Sequence, residues 1–203
     1  SYSLIHDDLP CMDDDKFRRG KPSTHMKFGE ASAVLAGNSL LTLAFEIISN
    51  KNYKISSKIK NEIIRSLAFC SGHTGIAGGQ ELDLKFEGKK QNLNNILIMQ
   101  KKKTGKLFGF CLYAVSAIAG KNDREKKDLV ILGEQIGLLF QIADDFLDLK
   151  GSTKQLGKLT RKDSKKGKST LINLLGYKKA YNYANILKKK ILLKLKKHGK
   201  KAK

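Results

Sequence analysis

Gln141-Ile142-Ala143-Asp144-Asp145-Phe146-Leu147-Asp148 is the stretch whose reading decides the fold of this chain. It closes an apolar run from Ile131 that Glu134 and Gln135 interrupt. On a helix, Asp144 and Asp148 stand four residues apart, so both carboxylates project from one face. Like charges so placed repel by a few tenths of a kcal/mol in water, and by more once buried. A cation relieves that repulsion. Magnesium takes one or two carboxylates and leaves its other positions to water and phosphate oxygens. One acidic run of this kind also suits a solvated surface or a helix cap. A second one, His6-Asp7-Asp8-Leu9-Pro10-Cys11-Met12-Asp13-Asp14-Asp15, changes that balance. Basic residues follow each cluster: Arg18, Arg19 and Lys21 after the first, and Lys154, Lys158, Lys165, Lys166 and Lys168 after the second. Carboxylates that hold magnesium beside cations that hold phosphate oxygens describe a diphosphate site.

Outward from these clusters the chain reads as helix. Sustained period-2 alternation and Asn-Gly or Asp-Gly turns are missing, and the only prolines are Pro10 and Pro22. Spacings of three and four predict helices over about 28–49, 57–74, 93–119, 124–149 and 178–198. Asp123 is expected to cap the fourth of these, and Gly151 to close it. In the last, Ile186, Ile191, Leu192 and Leu195 form a rough apolar stripe. Gly72, Gly75, Gly78 and Gly79 are expected to interrupt or end the second helix before Gln80, Glu81 and Asp83, and 151–170 to form a loop. The expected architecture is an all-α helical bundle of one domain, with a core over 1–176 and a Lys-rich helix or tail over 177–203.

Composition bounds the function. The chain of 203 residues is long enough to bury a core, about 70% of its unfolded surface. Its net charge of +21 raises nucleic acid or an anionic membrane as partners. The final forty residues, however, hold fourteen Lys and no acid, which leaves +7 for residues 1–163. Only five of the forty basic residues are Arg, a poor fit to bidentate phosphate reading of a nucleic acid. We therefore expect no nucleic-acid partner; a basic nucleic-acid-binding helical protein is kept as the reading of another class, and steep salt dependence without a need for magnesium would mark it. Cys11, Cys70 and Cys111 are widely spaced and odd in number, which suits a reducing compartment, the cytoplasm, and core-filling thiols. Uninterrupted apolar runs are too short for a membrane span, and none is expected.

The motifs together resemble the trans-polyprenyl diphosphate synthases, and within them the bacterial farnesyl diphosphate synthase type. The resemblance rests on Asp7-Asp8-Leu9-Pro10-Cys11-Met12-Asp13 with Arg18-Arg19-Gly20-Lys21-Pro22, on Gly79-Gln80-Glu81-Leu82-Asp83-Leu84, on Lys103-Thr104-Gly105, on Gln141 to Asp148, and on Gly167-Lys168-Ser169-Thr170. These blocks follow the family's order over roughly 1–176.

The resemblance implies an isoprenoid synthase bundle with a central cavity, and condensation of isopentenyl diphosphate with dimethylallyl or geranyl diphosphate to farnesyl diphosphate. Geranylgeranyl or longer products are the alternative. It implies Mg²⁺, three per site, held by Asp7, Asp8, Asp13, Asp144 and Asp148, with Asp145 in support. Arg18, Lys103 and Lys158 match positions that hold the allylic diphosphate, and Arg19 one that holds the homoallylic diphosphate. Lys103, Thr104 and Gln141 match residues beside the reacting carbons, and a homodimer is implied for the complete protein. Tyr2 would lie about a turn and a half before Asp7, either as the floor that limits chain length or as ordinary core.

Other candidates are weaker. His6 either orients Asp7 or packs, His25 either touches phosphate or sits in a solvated loop, His73 ends a helix and His198 lies in the basic tail. Gln80 and Asp83 either organise the site or support the fold. Gly167-Lys168-Ser169-Thr170 lacks the first glycine of a P-loop, Lys162 standing in its place, so nucleotide binding is rejected. Family members usually carry an upstream Gly-Gly-Lys-x-x-Arg-Pro motif and a His one turn before the first aspartates. This chain starts after those positions, so we expect a fragment lacking the first bundle helices and poorly active or inactive by itself.

Overall fold

The computed structural model describes residues 1–150 and 168–199. They form helices and one short hairpin, grouped into two compact units.

The first unit holds Ser1–Lys54 and, among the described residues that follow, 147–150. Helix α1 (Tyr2–Asp7) is short because Pro10 cannot continue it. The chain then turns through strands β1 (Phe17–Arg18) and β2 (Lys21–Pro22), with Phe17 paired to Pro22 and Arg18 to Lys21. Arg19 and Gly20 take positive φ, 54° and 78°, the pattern of a type I′ two-residue turn. This hairpin is absent from the sequence reading, since two-residue strands have no period to detect. Helices α2 (Thr24–Phe28) and α3 (Glu30–Ser49) follow. Ala33 of α3 is wholly buried, and the His6 Nε2 donates to the Val34 carbonyl at 3.1 Å, which ties α1 to α3.

The second unit spans Ile55–Phe146 and the described residues from Lys168 on. Helix α4 (Ser57–Ser71) is capped by the Ser56 hydroxyl, α5 covers Ile76–Phe86, and α6 (Leu93–Gln100) is capped by Asn92. A π-helical turn, Lys101–Gly105, joins α6 to α7 (Lys106–Ile118). Helix α8 runs over Asp123–Lys150, α9 over Leu171–Leu175 behind a Thr170 cap, and α10 over Tyr177–Lys196. Ile96, Leu132, Ile142, Leu171, Leu187 and Ile191 form the core of this unit. Burial of each such side chain is worth about 1.5–3 kcal/mol.

Several expectations are corrected. Gly78 and Gly79 lie inside α5 rather than ending a helix, because α5 starts at Ile76 and uses their small size for close packing. The α8 cap is Asn122, not Asp123: Asn122 Oδ1 accepts the Glu125 amide at 2.9 Å, and Glu125 Oε2 accepts the Asn122 amide at 3.2 Å, a reciprocal capping box. On α10 the buried residues are Ala180, Leu187 and Ile191, whereas Ile186 and Leu192 are exposed. Cys70 is buried as expected, but Cys11 and Cys111 are exposed. Helix α3 is long and apolar enough to cross a membrane by length and composition. The expectation of no such segment counted only unbroken apolar runs, and small polar residues such as Ser32, Ser39 and Asn38 lower the mean hydropathy little. The closing Gly151 and most of the expected 151–170 loop lie outside the described residues.

Candidate active site

In the first unit, the loop after α1 folds back on the helix end. The Asp13 amide donates to the Asp7 carbonyl at 2.8 Å and the Asp15 amide to the Asp8 carbonyl at 3.1 Å, so backbone bonds bring the acidic residues together. Their side chains then divide. Asp8 is buried, 3% exposed, and accepts the Arg18 guanidinium, with Nε to Oδ1 at 3.0 Å and Nη2 closer still. Arg18 Nη2 also lies 3.5 Å from Asp15 Oδ2. Burial pushes the Asp8 carboxyl above its ordinary value, and the hydrogen bonds and charge of Arg18 pull against that. For Arg18, burial works against the charge, but Asp8 and the neighbouring aspartates outweigh it and hold the guanidinium above its usual value. The two directions concern one pair, and a guanidinium donating twice to a carboxylate keeps that pair ionised. Asp7 and Asp13 remain half-buried beside it.

His25, expected to touch phosphate or lie in a solvated loop, is not solvated. It is buried on α2 and bonded to Ser23 Oγ at 3.2 Å, because the hairpin turns the following residues inward. His6 packs onto α3, and its ring meets Tyr2 edge-on at 6.4 Å. Arg19 is exposed at the hairpin tip.

In the second unit, the π turn carries Lys103 and Thr104. Lys103 Nζ pairs with the buried Asp83 at 2.7 Å, and Lys168 Nζ lies 3.9 Å from the same oxygen. Asp83 thus gathers two cations in one place, one from the π turn and one from the chain before α9. The Thr104 hydroxyl donates to Gln141 Oε1 at 3.0 Å, and Gln141 Nε2 donates to Asp145 Oδ1 at 3.0 Å. Gln100 Nε2 reaches Asp145 Oδ2 at 3.5 Å. Asp145, 5% exposed, is therefore held by two amides, while Asp144 beside it is only half-buried. This relay links the π turn to the acidic end of α8.

The turn is seated by close backbone approaches. A Cβ on Gly79 would stand 2.6 Å from Lys103 Cα, and one on Gly137 2.8 Å from Gly105 Cα. Gly79→Ala is expected to cost about 2 kcal/mol, since backbone rather than a mobile side chain must give way. Denaturant unfolding would show it as a lowered midpoint; an unchanged midpoint would mean that the turn does not pack there.

Comparison with known proteins shows the family. The family described as Polyprenyl synthetase matches residues 1–203. The chain belongs to that family. It is 45% identical over 191 residues to the farnesyl diphosphate synthase of Escherichia coli (strain K12), covering 92% of this chain and 63% of that protein. It is 43% identical over 176 residues to the farnesyl diphosphate synthase of Bacillus subtilis (strain 168), covering 86% and 60%. Among solved structures, the geranyltransferase of Helicobacter pylori complexed with magnesium and isoprenyl diphosphate has a TM-score of 0.88 at 40% identity, covering 96% of this chain and 63% of that one. The chain thus spans about three-fifths of the length of these polyprenyl synthetase relatives.

Against the family motifs, the structure brings Asp7 together with Asp13 by backbone bonding, Lys103 with Asp83, and Thr104 with Gln141 and Asp145. Asp148 is buried near the end of α8, one turn beyond Asp144. Lys158 lies outside the described residues, as do Lys154, Lys165 and Lys166. The sequence reading gave no partner to Asp15, Gln100 or Glu134, which meet Arg18, Asp145 and the pair Lys101 and Lys106 respectively. Glu134 had a signal, a lone acid in an apolar run, whereas the roles of Asp15 and Gln100 depend on contacts distant in sequence.

Proposed function

We propose that the protein carrying this chain is a prenyltransferase, joining isopentenyl diphosphate to an allylic diphosphate, with farnesyl diphosphate as the product, and that it works as a homodimer in the cytoplasm. The observation that carries the reading is the turn of Lys103 and Thr104, with Lys103 paired to Asp83 and Thr104 bonded through Gln141 to Asp145 on α8. A cation for phosphate and a hydroxyl with its amide partner for reacting carbons thus come from this turn and its neighbours, and Asp144 follows Gln141 by three residues on α8.

Among the described residues no three His, Cys, Asp or Glu side chains form a ready metal cage. Magnesium shared with a diphosphate needs one or two carboxylates and takes its other ligands from phosphate and water. Asp7, Asp13, Asp144 and Asp148 are the residues to hold it, and Asp8, bound to Arg18, keeps the first loop in place. Bound there with the substrate, magnesium would neutralise the diphosphate as a leaving group.

The chain's own residues do the rest. Lys103, with Lys168 beside it, draws the allylic diphosphate, both ammonium groups being already largely withdrawn from water beside Asp83. Arg19, exposed on the hairpin, takes the homoallylic diphosphate. Thr104 Oγ1 and the Gln141 amide turn dipoles toward the positive charge that develops at the allylic carbon when its C–O bond breaks. The isopentenyl double bond attacks that carbon, and a proton then leaves to the departing diphosphate, so no side-chain base is needed.

Mass spectrometry of products from the protein carrying this chain, with isopentenyl and dimethylallyl diphosphates and with or without magnesium, tests the reading. Magnesium-dependent fifteen-carbon product is expected; binding to nucleic acid without prenyl transfer would overturn it. Tyr2, half-buried on the same helix as Asp7, is proposed as the floor that limits growth. Tyr2→Ala should shift the product toward twenty carbons, and an unchanged fifteen-carbon product would make Tyr2 ordinary core.

A further inference from the structure

We propose that Glu134 is a positioning residue that selects the π-helical form of the Lys101–Gly105 turn, and so sets where Lys103 and Thr104 point. The carboxylate of Glu134 is buried, 8% exposed, and each oxygen takes a different lysine. Oε2 lies 3.0 Å from Lys101 Nζ and Oε1 lies 2.7 Å from Lys106 Nζ. Those lysines are the first residue of the π turn and the residue just after its last.

Their spacing makes the contact selective. In a regular α-helix, residues five apart are rotated by about 140° and face different sides. In a π turn, the residue five along completes the turn and faces the same way. The Lys106 amide indeed donates to the Lys101 carbonyl. One carboxylate can therefore hold both ammonium groups only while the turn is π; straightening it would pull one lysine away and leave a buried charge half-paired. The stem of Glu134 is fixed as well, lying over Gly109, where an added Cβ would come within 3.1 Å of its Cγ. On the far side, Lys106 Nζ sits 5.6 Å from the centroid of the Phe69 ring, which restrains it from above.

The clamp itself follows from these contacts; its consequence for the diphosphate site rests on the function proposed above. Lys103 lies between the two anchored lysines, and its contact with Asp83 depends on the extra residue that the π turn inserts. A turn freed from Glu134 would present Lys103 and Thr104 in altered directions.

Hydrogen exchange followed by mass spectrometry reads the clamp without a ligand. In Glu134→Gln, the amides of residues 103–106 should exchange about tenfold faster than in the wild-type chain, while those of Ile63–Cys70 in α4 keep their rates. Lys101→Met, which removes one half-exposed partner and endangers folding less, should accelerate the same amides. Unchanged exchange over 103–106 in both variants would overturn the proposal. Calorimetric titration with magnesium pyrophosphate then tests the consequence: Glu134→Gln should bind about tenfold more weakly, and Glu134→Asp, which keeps the charge, should recover part of that loss. If Glu134→Gln accelerates exchange but the wild-type chain binds no pyrophosphate, the clamp stands and the reading of the diphosphate site fails.

Discussion

Alanine in place of Asp144 is expected to lower prenyl transfer by the protein carrying this chain by about a thousandfold, equivalent to roughly 4 kcal/mol of transition-state stabilisation. The size follows from the chemistry assigned to the position. A diphosphate leaves slowly until its charge is neutralised, and Asp144 is the half-buried carboxylate of the α8 motif, beside an Asp145 already held by Gln100 and Gln141. The two neighbours should therefore respond differently. Asp144→Ala should leave folding nearly untouched and abolish the magnesium dependence of diphosphate binding. Asp145→Ala should chiefly lower stability, because it strands the buried Gln100 amide and the half-buried Gln141 amide. Steady-state rates, titration of magnesium and thermal unfolding of both variants make the comparison. Near-normal turnover in Asp144→Ala would remove it from the metal site.

Arg18→Met is expected to cost about 2–3 kcal/mol of stability, the largest loss from any single surface-reaching side chain in the first unit. It leaves Asp8, 3% exposed, without its charged partner, and breaking a buried pair from one side costs more than the pair contributes. The carboxylate would have to take up a proton or open to water. Asp8→Asn in the same background should recover part of the loss, because the buried charge is gone. Denaturant unfolding of the wild type, both single variants and the double variant closes a cycle; additive losses would show that the two residues do not couple. The same substitution should weaken diphosphate binding, since Arg18 matches a phosphate-holding position, and that loss should persist in the double variant although stability returns.

The all-α class, helices α3, α4, α8 and α10 and the acidic motifs were legible because each is local, whereas α5 among its glycines and the short α9 were not predicted. Spacings of three and four place Leu132 and Ile142 on one side of α8, and four residues place Asp144 one turn before Asp148. Features without a period were not legible. The hairpin at Arg19-Gly20 consists of two residues per strand, and the π turn differs from an α-helix by one inserted residue. Nothing in Lys101-Lys102-Lys103-Thr104-Gly105 announces that insertion; it is held in place by Gly79, Gly137 and Glu134, which come from two other helices.

The burial of His25 and the partners of Asp8 and Asp145 belong with these. Each depends on residues that share no pattern with them, such as Ser23, Arg18 and Gln100.

By itself, then, the sequence determined the chemical inventory: which residues carry carboxylate, ammonium and guanidinium groups, in what order, and on which helices. Only the tertiary structure decided which of those groups meet: Asp8 with Arg18, Asp145 with Gln100 and Gln141, and Asp83 with Lys103 and Lys168. The physical reason is that helix propensity and periodicity act within a turn or two, whereas desolvation and ion pairing act between whichever groups packing brings within about 4 Å.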